Sequence, residues 1–428
     1  MTQFLVKKST LNGHIKIPSS KSHTLRAILF GALSRGKSVI HHYLPSNDTT
    51  SMINACRLLG ATIDVTPDRI DIHGIAGKIS HSEDVIHAGN SGIILRFCSA
   101  IGSLASNPIV ITGDHSIRHH RPMQPLLDGL SQLGVQTSTM RGDGFAPVIL
   151  RGPIQSGKAI IFGEDSQSVS ALLIASAFAE GPVELTVMNP GEKPWVGLTL
   201  DWFDRLGIPY QNQDFQHYRM KGNASPCGFE YAVPGDFSSA AFPIAAALVT
   251  QSELTLTNID MNDCQGDKEL IYVLQKMGAK IEIDASNKSL HVKKGCTLTG
   301  IHVDINNFID AITILAVVAC FAEGETRISN AANSKQKECD RIQCISTELS
   351  KMGAHIHETD DGLIIKKSQI RGAQLNSYHD HRMAMSLAVA AMGAKGDSII
   401  APIDCVSKTF PTFLNDFRSL GAHIEALN

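Results

Sequence analysis

The chain has 428 residues, 43% of them hydrophobic and 18% charged, with a formal charge of −3 at pH 7. That is apolar material for two or three domain cores, and the slight acidic excess argues against a general nucleic-acid-binding surface, which needs a basic surplus. With no CxxC pair among nine cysteines, no targeting segment at the N-terminus and no apolar run longer than residues 311–322, a soluble, reduced, cytoplasmic protein without membrane contact is expected.

In chain order, six strongly apolar helices are predicted, each followed by a small-residue turn and a strand. They lie in residues 25–43, 94–113, 170–187, 240–258, 311–329 and 383–401. Helices apolar on every side belong in an interior. Between them an amphipathic segment recurs, closed each time by an LG or MG pair. Its glycines are Gly60, Gly134, Gly207, Gly278, Gly353 and Gly421, spaced by 68 to 75 residues. A helix ending in a left-handed glycine cap and then a strand accounts for that pattern. Six such units, with helices inside and sheets outside, group as three plus three.

Polar and charged residues stand at the starts of the buried helices. Lys21, Ser22 and Arg26 open the first, Asn90, Gly92 and Arg96 the second, and Asp165, Ser166 and Gln167 the third. Asp310 precedes the fifth, and His381 and Arg382 open the sixth. Arg118, Arg121, Lys337, Glu338, Arg341 and Lys408 lie in further basic stretches. Helix N-termini carry free N–H groups and a positive dipole end, which attract anions and disfavour cations. Two unit charges about 4 Å apart interact by about 4 kcal/mol at an effective dielectric near 20, so uncompensated cations there would burden folding. The expectation is a shared cavity in which a multiply anionic small molecule balances them. Asp310 and Asp380 can also be read as plain helix N-caps, and Lys337, Glu338 and Arg341 as a surface charge cluster. The histidines of "HSIRHHRP" and "HDHR" lack metal-helix spacing, and no GxGxxG or GxxxxGK[ST] loop is present, so neither metal nor nucleotide binding is expected.

In this combination the chain resembles the EPSP synthase family of enolpyruvyl transferases over essentially its whole length. The resemblance rests on "PSSKSHTLRA", "AGNSGIILRF", "RHHRPMQPLLDGL", "DSQSVSALL", "PGDFSSAA", "FIDAITILA", "KECDRI", "DHRMAMS" and "SKTFP", in that order. It implies a two-domain, inside-out α/β barrel of six repeats, three per domain. Residues 1–18 and 237–428 would form one domain and 19–236 the other, with the active site in an interdomain cleft that closes on its ligands. It further implies transfer of the carboxyvinyl group of phosphoenolpyruvate to the 5-hydroxyl of shikimate 3-phosphate by addition and elimination. No metal or organic cofactor, no nucleic-acid or membrane partner and a monomeric state go with that reading.

By the same resemblance, Lys21, Asn90, Gly92, Arg121, Gln167, Arg341, Arg382 and Lys408 would bind phosphoenolpyruvate. Ser22, Arg26, Asp165, Ser166, Gln167, Asp310, Asn333 and Lys337 would bind shikimate 3-phosphate. Asp310 would take the hydroxyl proton and Glu338 protonate the methylene carbon, assisted by Lys337, Lys21 or His381. Several residues depart from the family pattern. Ile93 and Phe97 replace a usual threonine and proline, for which weaker inhibition by glyphosate is expected. Asp165 and Glu192 replace serines on the side of the acceptor phosphate, and Trp195 replaces a tyrosine. The two acids keep open a transferase acting on an unphosphorylated cyclitol. An enzyme acting on UDP-N-acetylglucosamine fits "KSHTLR" and "DHRMAM" less well, and a non-catalytic anion-binding relative would not need Asp310, Glu338 and Lys337.

Overall fold

The computed structural model describes residues 2–79 and 82–427. The chain divides into two compact units, Met1–Ser20 with Pro234–Asn428 and Lys21–Val233. Each has its own hydrophobic core: one is built around Ala316, Met385 and Phe413, the other around Ile28, Leu172 and Trp202.

One repeat serves to describe the architecture. Strand His302–Asp304 leads through a short 3₁₀ segment into the buried helix Ile312–Ala319, then into the parallel strand Glu325–Ser329. The amphipathic helix Arg341–Lys351 follows, and strands His355–Thr359 and Gly362–Lys366 complete a four-stranded sheet by antiparallel pairing. The same layout gives six four-stranded sheets, three in each unit. Three repeats are completed by distant chain. Gln3–Val6 pairs with Ser398–Ala401 and Ile424–Leu427, and Asn12–Lys16 lies parallel to Glu253–Thr257, which binds the N-terminal segment to the C-terminal half. In the other unit Glu230–Ala232 lies parallel to Arg35–His41.

The helices predicted to be interior are so. Every residue of Phe237–Val249 and of Ile312–Ala319 is buried, as are all residues of Lys21–Leu33 after the first. Three of the buried helices begin with an aspartate N-cap: Asp165 accepts from Gln167 N–H, Asp236 from Ser239 N–H and Asp380 from Arg382 N–H. Each cap satisfies one of the N–H groups that a buried helix start leaves without a partner, worth about 0.5–2 kcal/mol. The repeating glycines end their helices in the left-handed region. At Gly207, for example, φ is 63° and the N–H returns to Asp204 C=O, a conformation that a Cβ would strain. All nine cysteines are free thiols. Among the described residues no helix is long and apolar enough to cross a membrane.

Candidate active site

In the unit that contains residues 234–428, four separate segments deliver charged side chains to one point. Arg341 is the first residue of its helix, and its side chain is only 2% exposed. Its Nη1 meets Asp310 Oδ1 at 2.7 Å, its Nη2 meets Glu338 Oε2 at 2.8 Å and its Nε meets Asp380 Oδ2 at 2.8 Å. Arg382 Nη2 lies 2.9 Å from the second oxygen of Asp310, and Lys408 Nζ lies 2.7 Å from the second oxygen of Glu338. Lys408 ends a 3₁₀ turn held by the buried Phe410, which packs edge-on against Phe413. His381 is buried beside Asp380, 3.7 Å away. Lys337 and Asn333 are half-buried, on and just after the 3₁₀ turn Ala332–Gln336.

This network corrects the expectation that the cations stand uncompensated. Arg341, Arg382 and Lys408 are matched by Asp310, Glu338 and Asp380. A guanidinium 2% exposed is tolerable only when paired and fully hydrogen-bonded, and acids from three segments meet that need. Burial pushes the Asp310 carboxyl up, but the charges of Arg382, Arg341 and Lys337 outweigh it and hold Asp310 well below the ordinary carboxylate range. Asp310 is not an N-cap. It sits within the 3₁₀ segment Asn306–Ala311, and Ala311 holds the cap position of the next helix. Asp380, by contrast, is both the N-cap of His381–Gly393 and a clasp for Arg341.

Asp267 also belongs to this region and escaped the sequence reading, because an acid next to a helix start reads as an ordinary first-turn residue. It is 3% exposed and accepts a hydrogen bond from Ser238, while its other oxygen has no hydrogen-bond partner. Burial, then the nearby charge of Asp310, raise its carboxyl well above the ordinary range.

The unit of residues 21–233 holds the other predicted residues. Lys21 Nζ lies 3.5 Å from Asp48, and Ser22 is buried one residue on. Arg26 is bonded to Thr199 Oγ1 at 3.0 and 3.1 Å, to the Trp195 carbonyl at 3.2 Å and to the Ser22 carbonyl at 3.3 Å. Its guanidinium carbon lies 5.1 Å from the centre of the Phe97 ring, so the residue that replaces a proline supplies a cation–π face.

Arg96 is the hub of this unit's site. Its Nε meets Asp165 Oδ2 at 2.8 Å, its Nη1 the Gln167 side-chain oxygen at 3.1 Å and its Nη2 the Pro122 carbonyl at 3.0 Å, next to the buried Arg121. With its oxygen held, Gln167 has its amide N–H₂ left to donate. A Cβ on Gly92 would come within 2.9 Å of both Arg96 Nη1 and Gln167 Oε1, so a larger residue there would push on both side chains. Asn90 donates to Asp114 at 2.6 Å, and Ser166 donates its hydroxyl to the buried Glu192 at 2.6 Å. Asp165 therefore spends its charge on Arg96 and the helix cap.

Comparison with known proteins gives a consistent result. A family model described as EPSP synthase (3-phosphoshikimate 1-carboxyvinyltransferase) matches residues 5–417. The 3-phosphoshikimate 1-carboxyvinyltransferase of Chlamydia abortus is 44% identical over 429 residues, covering 99% of this chain and 95% of the relative. That of Acetivibrio thermocellus is 41% identical over 420 residues and 98% of both chains. Among solved structures, an EPSP synthase from Acinetobacter baumannii matches all of both chains with a TM-score of 0.83 at 28% identity. The enolpyruvyl transferase NikO from Streptomyces tendae has a TM-score of 0.80 at 16% identity, a likeness of fold.

Proposed function

The chain belongs to the EPSP synthase family, and from that premise we propose how its own residues carry the family's reaction. The reaction is transfer of the carboxyvinyl group of phosphoenolpyruvate to the 5-hydroxyl of shikimate 3-phosphate, with release of phosphate, on the route to chorismate and the aromatic amino acids. An acceptor such as UDP-N-acetylglucosamine is not favoured. The observation that carries the assignment of roles is the convergence of Arg341, Arg382 and Lys408 on Asp310 and Glu338.

Arg341, Arg382 and Lys408, with Lys21, Arg121, Asn90 and the N–H₂ of Gln167, bind the carboxylate and phosphate of phosphoenolpyruvate. The backbone at Gly92 is assigned to the same substrate. Ser22, Arg26, Ser166, Asn333 and Lys337 face the acceptor. Asp165 acts through Arg96. In the addition step Asp310 takes the 5-hydroxyl proton, the oxygen attacks the central carbon of phosphoenolpyruvate, and Glu338 gives a proton to its methylene carbon. In the elimination step the bond to the phosphate oxygen breaks, phosphate leaves with the proton that Asp310 had taken, and Glu338 takes a proton back from the methyl group. Lys337, Lys21 and His381 assist these transfers. The intermediate carries carboxylate and phosphate on one carbon, and preorganised cations stabilise it without reorganising.

The same pairs suggest a timing device. In the free enzyme the cations hold Asp310 too acidic to be an effective base. An anionic substrate that engages Arg341 and Arg382 offsets their pull, and one unit charge about 4 Å away is worth on the order of 4 kcal/mol, or roughly three pKa units. Phosphoenolpyruvate thus raises the proton affinity of the group that must take the acceptor's proton.

Phosphate release tests the reading. The protein is incubated with phosphoenolpyruvate and, separately, with shikimate 3-phosphate, unphosphorylated shikimate and UDP-N-acetylglucosamine. Turnover with shikimate 3-phosphate alone is expected, and turnover with shikimate alone would move the acceptor to an unphosphorylated cyclitol. Weaker inhibition by glyphosate belongs to the same reading, and Ile93→Thr should strengthen it. An unchanged inhibition constant would remove Ile93 from that pocket. A cytoplasmic, monomeric enzyme completes the proposal.

A further inference from the structure

Three residues before Arg382, the backbone does something uncommon. Tyr378 and His379 both occupy the left-handed region, with φ of 55° and 57°, although neither is glycine. Two consecutive L-residues in that conformation make a type I′ turn, closed here by Asp380 N–H on the Ser377 carbonyl at 2.9 Å, and without glycine it gains from outside support. That support comes from a carboxylate outside the ion-pair network. Glu348 is 0% exposed, and one of its oxygens accepts the Asn376 N–H at 2.9 Å while the other accepts the Tyr378 hydroxyl at 2.7 Å. Tyr378 N–H donates to Asn376 Oδ1 at 2.8 Å, and Ser377 N–H donates to the Ala401 carbonyl at 2.9 Å.

Glu348 lies seven residues after Arg341 on the same helix, two turns along one face and about 10 Å away. The helix therefore grips the segment 376–382 twice. Arg341 holds Asp380, and Glu348 holds the turn that delivers Asp380. Because Asp380 accepts from Arg341 Nε and from the backbone N–H of Arg382, relaxation of the turn shifts the Arg341 guanidinium and the helix start that carries Arg382.

We propose that Glu348 is a positioning residue for the anion-binding pair Arg341 and Arg382, acting through the Tyr378 turn and Asp380. The inference rests on the assignment of those arginines to phosphoenolpyruvate made above. Lys351 also pairs with both Glu348 oxygens, at 2.7 and 2.9 Å, but its side chain is 45% exposed and makes no bond to the turn.

The test compares Glu348→Met, which keeps volume but cannot bond the turn, with Glu348→Gln, whose amide can still accept from Asn376 N–H and donate to the Tyr378 oxygen. Misplacement of a binding group by about 1 Å can cost up to about 100-fold. On that scale, Glu348→Met should raise KM for phosphoenolpyruvate by about tenfold, with KM for shikimate 3-phosphate within about twofold of wild type. Glu348→Gln should recover most of the loss, and Lys351→Met, which keeps both bonds from Glu348 to the turn, should raise the KM less than Glu348→Met does. Tyr378→Phe, which deletes one bond, should raise the same KM by about threefold, and it stands in if Glu348→Met fails to fold. Folded Glu348→Met or Tyr378→Phe protein with unchanged constants and unchanged exchange of the Arg341 Nε–H proton overturns the proposal, as does an equal change for both substrates.

A second readout separates this link from the assignment of the arginines. Without substrate, the Arg341 Nε–H proton should exchange with solvent about tenfold faster in Glu348→Met than in wild type and regain protection in Glu348→Gln. Faster exchange with an unchanged KM would refute the arginine assignment and leave the positioning link standing. Unchanged exchange would refute the link.

Discussion

The two units hold their arginines differently. In the unit of residues 234–428, Arg341 meets carboxylates from three chain segments, and Arg382 and Lys408 share two of the same acids. In the unit of residues 21–233, Arg26 is bonded to a threonine hydroxyl and two backbone carbonyls, and Arg96 to one carboxylate and several neutral oxygens. The first arrangement keeps cations in place before any ligand arrives, and an incoming anion must compete with internal acids. The second fixes Arg26 and Arg96 largely by hydrogen bonds to neutral oxygens. By this contrast, the first unit suits groups whose proton affinity must change during a reaction, and the second suits groups that only bind and orient.

The largest effect that would sharpen this contrast comes from Glu338→Ala. Loss of a proton-transferring group typically costs 10²–10⁴-fold, so turnover should fall by about that much while acceptor binding by calorimetry stays near wild type. Turnover within a few-fold of wild type would remove Glu338 from the chemistry. Next comes stability: Asp380→Ala leaves a buried guanidinium short of a partner and a buried helix uncapped. It should lower unfolding free energy by about 3–5 kcal/mol in denaturant titrations. Asp165→Ala strips a cap and one of several partners from Arg96, and a smaller loss of about 1–3 kcal/mol is expected. If the two cost the same, the difference between the units is not energetic.

A pH experiment probes the first unit alone. Burial and the charge of Asp310 raise the Asp267 carboxyl well above its unfolded value. The stability tied to that protonation is therefore complete below the unfolded pKa, near 4, and is lost as pH rises through the folded value. Asp267→Asn cannot ionise, so its melting temperature relative to wild type should climb as pH rises from the unfolded pKa through the folded one. A flat difference would show that Asp267 titrates normally. Smallest of all, the exposed pair Arg205–Asp201, four residues apart on a helix, should be worth about 0.3–0.5 kcal/mol in a double-mutant cycle.

Much of the fold was legible in the chain. The glycines at Gly60, Gly134, Gly207, Gly278, Gly353 and Gly421 all take positive φ, and the six apolar segments are the buried helices. Such features depend on neighbours a few residues away, where periodicity and backbone sterics act. The cation-rich helix starts were legible too, but not their acids. Asp380 read as a cap and proved also to hold Arg341, Asp310 read as a possible cap and is not one, and Glu348 and Asp267 carried no signal at all.

Composition, hydrophobic period and recurring glycines by themselves determined the class of fold, the number of repeats and which residue types stand at the helix mouths. Only the tertiary structure decided which carboxylate neutralises which cation. Asp310, Glu338, Asp380 and Arg341 are brought together from three helix starts and a turn, and electrostatic energy depends on distances of a few ångströms that chain order does not encode.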